Sequence, residues 1–216
     1  MSITNLGNPR RAVVIWGVAL GLLSCQVAQG RLRPWDQQRA QWVRSWRSPA
    51  LDGPMRAVTW FGGSVWALAA LAALVSAVWR RGRGPEALTL VVAFLFGVLI
   101  ETALRLFIPQ WRPDTAAVPP GLGLVDRARL AGFPSGHAFR SAFLFGWLGQ
   151  EFRAWRGRLA GIAQGLCVAM IGLVGISRLY LNRHWATDVL GGWLVALLVL
   201  SVAAAWRQSL AHGEKR

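Results

Sequence analysis

Residues 87–108 read ALTLVVAFLFGVLIETALRLFI. The only charges in this run are Glu101 and Arg105, in its last two turns. It is too long for a strand and apolar all round, unlike the one-sided stripe of a soluble surface helix. A bilayer core needs ~20 such residues, so the run predicts a transmembrane helix. Five more apolar stretches flank it: Ala12–Gln29, Val58–Trp79, His137–Phe152, Leu159–Tyr180 and Trp185–Trp206. The one from His137 is short and amphiphilic, with Ser135, His137, Arg140 and Ser141 at its start. Such polar residues fit a helix end that lines a site. The expected architecture is all-α: a polytopic membrane protein with a bundle of six transmembrane helices. It forms one domain over 1–216, with a motif-bearing core at 87–206.

Composition agrees. The chain is 54% hydrophobic and carries a formal net charge of +15, nearly all of it arginine. The arginines sit between apolar blocks, so membrane topology and anionic lipid account for them better than nucleic acid does. Trp60, Trp79, Trp111, Trp155, Trp185 and Trp206 lie near stretch ends, as in an interfacial aromatic belt. Between the first two spans, residues 31–56 place Trp35, Trp42, Val43 and Trp46 at helical spacing among Arg39, Arg44 and Arg47. This predicts a helix lying flat in the headgroup region. Leu22-Leu23-Ser24-Cys25 resembles a lipoprotein cleavage site, but the apolar run continues past Cys25, and a retained first helix is expected. Pro119-Pro120-Gly121 marks an irregular loop. Basic turns at Arg10/Arg11, Arg80–Arg83, Arg153/Arg156/Arg158 and Arg207/Lys215/Arg216 alternate onto one side, expected to be cytoplasmic. Cys25 and Cys167 imply no disulfide framework, and the scattered His, Cys and acidic residues predict no metal-ligand cluster.

Three segments fall on the opposite face. Arg105-x6-Arg112-Pro113 ends the third span, and Pro134-Ser135-Gly136-His137 enters the fourth. Ser177-Arg178-x5-His184-x3-Asp188 bridges the fifth and sixth. Each arginine offers a rigid fork of N–H donors suited to phosphate. Ser135 and the Gly136 N–H add neutral donors where a helix begins, which favours an anion. His184, four residues before Asp188, has the spacing of an imidazole oriented by a carboxylate, with its other nitrogen free to attack. His137 can then protonate a leaving oxygen.

These segments resemble the three signature motifs of the type 2 phosphatidic acid phosphatase superfamily, which also includes vanadium haloperoxidases. A motif such as Pro-Ser-Gly-His alone arises by chance in roughly one such chain in several hundred; all three in order are far rarer. The resemblance implies a cofactor-free lipid phosphatase in a bacterial inner membrane, its site facing the periplasm. His184 would form a phosphohistidine, Asp188 would orient it, and His137 would serve as acid and then base. Arg105, Arg112, Ser135, Gly136 and Arg178 would hold the phosphate, with Pro113, Pro134 and Ser177 completing the motifs. The family usually has lysine where Arg105 stands, which leaves a phosphate contact but makes it forked. The implied substrates are undecaprenyl diphosphate, phosphatidic acid, phosphatidylglycerol phosphate or lipid A phosphate. No nucleic-acid partner is expected, and oligomeric state is left open.

Singly, each residue has a plainer reading. Arginines at a helix end snorkel to the interface. Ser135 can be an N-cap, and Asp188 a first-turn charge. Glu101 reads as an i,i+4 partner that aims Arg105. Gly191-Gly192 reads as a close-packing site, and Asp114, Asp126, Arg127 and Arg129 as a solvated loop. Rival functions are a lipid-to-lipid phosphotransferase, a vanadate-dependent peroxidase, and a silent membrane scaffold or transporter.

Overall fold

The computed structural model describes residues 8–108, 110–115, 121, 123–155 and 157–213. Pro119-Pro120, Arg156, Lys215 and Arg216, and the side chain of Arg127, lie outside what is described. Nine α-helices lie within these residues. They are α1 (Pro9–Ala28), α2 (Arg33–Arg44), α3 (Pro49–Trp60), α4 (Ser64–Arg80), α5 (Gly84–Phe107), α6 (Leu124–Leu130), α7 (Gly136–Glu151), α8 (Arg158–Tyr180) and α9 (Ala186–Gly213). Local chemistry sets several of their starts. Asn8 caps α1 through its side chain, and proline occupies the first turn of α1, α2, α3 and α5, where a missing N–H costs nothing.

Four helices are long and apolar enough to cross a bilayer: α1, α5, α8 and α9. The helix expected over Val58–Trp79 is not continuous. It is a bent pair, α3 and α4, broken at 61–63 and turned through 46°. The break is at Gly62-Gly63, and glycines weaken a helix interior. At Gly62 a Cβ would come within 2.9 Å of both His137 Cβ and Val174 Cγ1. Close approach to two other helices selects this residue, and an apolar pattern cannot reveal that. The one helix expected over 31–56 is two helices, α2 and the start of α3. α3 belongs to the bent pair. In α2 the face Asp36, Ala40 and Val43 is buried, while Trp35 and Trp42, and Trp46 just past its end, are exposed. Residues 124–130, expected as loop, form α6. α7 has sixteen residues, about 24 Å at the rise of an α-helix, below the length of a full crossing.

That short helix lies at the centre of the bundle, against α4, α5, α8 and α9. Phe139, Phe143 and Trp147 run along it, with Phe94 of α5 alongside at 5.6–5.9 Å between ring centroids. α9 is buried through Val195, Ala196 and Val199, and α1 packs along it. Cys25 is an exposed residue within α1.

The two ends of the bundle differ. At one end the basic turns are bridged by acids. Arg83 meets Glu86 and Glu151 at 2.6 Å each, and Arg207 meets Glu86 at 3.3 Å. At the other end α9 approaches the loop before α7 through glycine. At Gly192 a Cβ would meet the Ser135 carbonyl oxygen and lie 2.9 Å from Ala138 Cβ and Phe139 N. Two of these neighbours are backbone atoms that cannot step aside. Gly192→Ala is therefore expected to destabilise by on the order of 1–3 kcal/mol, read as a lower thermal unfolding midpoint in detergent.

Candidate active site

All three sequence segments meet at this second end. Arg105, in the last turn of α5, pairs with Glu101 at 2.7 Å, one turn earlier. Its Nε and Nη2 also donate to the Pro134 carbonyl at 3.3 and 3.2 Å. Arg105 thus braces the loop that leads into α7. Ser135 caps α7: its side chain accepts from Ala138 N at 3.5 Å. Its backbone N–H donates to the Asp188 carbonyl at 2.9 Å. The second and third segments are therefore joined main chain to main chain.

Gly136 is buried where Glu101, Arg105 and Arg140 converge. A Cβ there would come within 2.8 Å of Arg140 Nη1 and 3.0 Å of Arg105 Nη2. Arg140 was read from sequence only as a polar residue of a helix end. Its Nε donates to the Gly62 carbonyl at 2.9 Å, and its Nη2 lies 3.5 Å from His137 Nδ1. A guanidinium cannot accept a hydrogen bond, so His137 presents a lone pair at Nδ1 and carries its ring proton on Nε2. Three residues separate His137 from Arg140 on one helix face, a spacing that could have flagged the pair.

Arg178, in the last turn of α8, is buried and donates from Nη1 to Thr59 Oγ1 of α3 at 2.9 Å. Ser177 turns away: its hydroxyl donates to the Val174 carbonyl at 2.7 Å. The chain then folds back, and the Arg178 carbonyl accepts from Arg183 N and His184 N at 2.9 and 3.3 Å. This return places His184 beside the arginines. Arg112 follows α5 in a turn closed by Thr115 N onto its carbonyl at 3.1 Å, with Pro113 inside that turn. Burial lowers the Arg112 pKa, and the neighbouring Arg105 adds to that effect. The Nε groups of Arg112 and Arg178 are both buried, with no acceptor among the described residues. Orphaned buried donors are rare and call for a partner.

His184 is 2% exposed and Asp188 fully buried. His184 Nδ1 donates to Asp188 Oδ2 at 3.1 Å. The same oxygen accepts from Trp185 N at 2.9 Å, and Oδ1 accepts from Gln110 Nε2 at 2.7 Å. Asp188 therefore closes the first turn of α9 on its own N-cap, as a capping-box residue does, and orients an imidazole with the same oxygen. Burial pushes the His184 pKa well below its ordinary value, and Arg178, Arg112 and Arg105 push it further. The ring is neutral at physiological pH. With its proton on Nδ1, Nε2 keeps a lone pair in a field of three arginines. His137 and His184 lie within electrostatic reach of one another, and Arg178 and Arg112 act on both.

Trp111 and Trp185, expected in the aromatic belt, are bonded to each other at this end. Trp185 Nε1 donates to the Trp111 carbonyl at 2.7 Å. Asp114, in the loop expected to be solvated, pairs with Arg183 at 2.7 Å while both side chains stay partly exposed. Sequence reasoning missed Thr59, Gln110, Thr187 and Asp36, and it placed Arg140 at a helix end that lines a site without giving it a partner. Among the described residues no group of three His, Cys, Asp or Glu side chains could hold a metal ion.

Arginine forks, an oriented imidazole and a second histidine, gathered at the end of an apolar helical bundle, form a site whose chemistry suits a phosphate group. Residues 86–211, more than half of the chain, match the PAP2 superfamily, and the chain belongs to that family. Among characterised proteins it is similar to phosphatidylglycerophosphatase B of Bacillus subtilis (strain 168). The two are 26% identical over 170 residues, which cover 76% of this chain and 79% of the relative. Its fold is similar to the crystal structure of a transmembrane PAP2-type phosphatidylglycerolphosphate phosphatase from Bacillus subtilis. The TM-score is 0.77 at 22% identity, covering 91% of this chain and 96% of that one. LpxE of Aquifex aeolicus is a more distant match, with a TM-score of 0.58 at 18% identity over 78% of this chain and 93% of that one.

Proposed function

We propose that the protein is a metal-independent lipid phosphatase that works through a phosphohistidine on His184. The observation that carries this reading is the buried His184–Asp188 pair set beside Arg112 and Arg178, whose buried Nε groups have no acceptor among the described residues. A phosphate monoester or pyrophosphate would satisfy the Nε donors of Arg112 and Arg178, with Ser135 and the Gly136 N–H supplying further donors at the start of α7. His184 Nε2 attacks phosphorus; an N–P bond forms and the P–O bond to the lipid breaks in line. His137 takes up a second ring proton from solvent as the bound phosphate offsets the neighbouring arginine charge, and the imidazolium delivers a proton to the departing oxygen and returns to the neutral ring. It then takes one from the water that cleaves the N–P bond and releases inorganic phosphate. The arginines stabilise charge on the equatorial oxygens.

In this reading the chain crosses six times, through α1, the α3–α4 pair, α5, α7, α8 and α9. α7 can be short because protein, not lipid, surrounds it. The acid-bridged basic turns would face the cytoplasm of a bacterial inner membrane and the site the periplasm. A lipid's tail then stays in the bilayer while its headgroup reaches the arginines. Of the four implied substrates, similarity to phosphatidylglycerophosphatase B puts phosphatidylglycerol phosphate first. A phosphate-release panel over the four lipids in detergent tests this, and no release from any of them counts against the whole reading.

Two inhibitor experiments separate mechanisms. Activity should survive millimolar EDTA, because no described cluster could hold a metal; dependence on added magnesium overturns that part. Orthovanadate should inhibit competitively, since it adopts the five-coordinate geometry of the transferring phosphorus. Indifference to it argues against attack by His184.

A further inference from the structure

The α2 helix precedes the family-matched residues 86–211, yet it reaches the reaction centre. Asp36, in its first turn, is 2% exposed. Its Oδ1 accepts from the backbone N of Thr187 at 2.9 Å, and its Oδ2 accepts from Thr187 Oγ1 at 2.6 Å. Thr187 Oγ1 in turn accepts from Gln110 Nε2 at 2.9 Å, and the same nitrogen donates to Asp188 Oδ1 at 2.7 Å. The chain thus runs from an interfacial helix through two uncharged side chains to the carboxylate that orients His184.

The chemistry gives this chain a direction. An ionised carboxylate only accepts, so the single hydroxyl proton of Thr187 is committed to Asp36. The oxygen of Thr187 then offers only lone pairs to Gln110. That selects the NH2 side of the Gln110 amide and excludes its carbonyl. With NH2 turned inward, its second hydrogen falls on Asp188. Burial raises the Asp36 pKa to about 6, offset in part by its bonds to Thr187, so the carboxylate is ionised above neutrality.

We infer that Asp36 is a positioning residue for turnover: through Thr187 it fixes the orientation of the Gln110 amide, which in turn holds Asp188 Oδ1. This inference rests on the proposed roles of His184 and Asp188. Asparagine at 36 still accepts from Thr187 N but donates to Thr187 Oγ1. The threonine proton must then seek Gln110, whose carbonyl turns in and takes the amide hydrogen away from Asp188. A buried carboxylate that loses one of its donors aims its imidazole less well.

The test is a double-mutant cycle on the full-length enzyme in detergent micelles, with phosphate release from phosphatidylglycerol phosphate or the best panel substrate. Asp36→Asn is expected to lower kcat about 10- to 100-fold with KM changed less than about twofold. Gln110→Ala should lose a similar amount. The double variant should be no slower than the slower single, because both act through one bond. A merely structural α2 contact predicts losses that multiply, and multiplying losses, an unchanged kcat or a shift confined to KM each overturn the inference. Should Asp36→Asn fail to yield folded protein, Thr187→Val takes its place in the cycle. Thr187→Ser, which keeps the hydroxyl, should recover most of what valine loses, and failure to do so also overturns it. His184→Ala, assayed in parallel, separates the two levels: if that variant turns over, the reading of the site has failed, whatever Asp36 does.

Discussion

His184→Ala is expected to abolish phosphate release, by a factor of about 10⁴ or more, roughly 5 kcal/mol or more of transition-state stabilisation. No neighbour can substitute for it. His137 is held by Arg140 at Nδ1, and among the described residues the other donors to the Asp188 carboxylate are the Trp185 N–H and the Gln110 amide. The fold should remain intact, because Asp188 keeps its bond to Trp185 N and α9 stays capped. Loss of turnover with an unaltered elution profile and unfolding midpoint is the expected pair of measurements. The arginines remain in place, so inorganic phosphate should still bind weakly while vanadate, which needs the imidazole as its axial partner, loses its potency. Substantial residual hydrolysis would transfer the nucleophile's role to another group.

Asp188→Asn is expected to lower kcat about 10³- to 10⁴-fold, the scale on which a triad carboxylate-to-amide change acts by selecting the wrong tautomer. The carboxylate accepts from three donors: His184 Nδ1, Trp185 N and Gln110 Nε2. An asparagine of the same shape brings an NH2 group that must face one of them. Turned toward Oδ2's place it opposes both the Trp185 N–H and the ring N–H, which drives the His184 proton to Nε2 and blocks attack. Turned the other way it opposes Gln110, whose amide can flip at the cost of its bond to Thr187. The variant should accumulate no phosphohistidine in rapid-quench experiments. A loss below about tenfold would show that His184 needs no oriented carboxylate.

The apolar run at 87–108 and its five companions revealed a membrane bundle because bilayer thickness imposes a length that composition records directly. The motif residues were legible for a different reason: forks, imidazoles and a carboxylate four positions away carry their chemistry in the residue type. Three kinds of feature escaped. The break at Gly62-Gly63 depends on what packs against it, and 58–79 is apolar on both sides of the break. Asp36 sits on a helix whose tryptophans announce an interface, and nothing local marks its carboxylate as facing inward. Arg105 was read as a phosphate ligand, but its guanidinium also braces Pro134, a contact that exists only once residues 29 positions apart are brought together.

The bond from Ser135 N to the Asp188 carbonyl has an evolutionary consequence. It belongs to the peptide backbone, so no side-chain replacement at either position can delete its donor or acceptor, proline at 135 excepted. The spacing between the entry of α7 and the start of α9 is thereby insulated from drift in the surrounding residues.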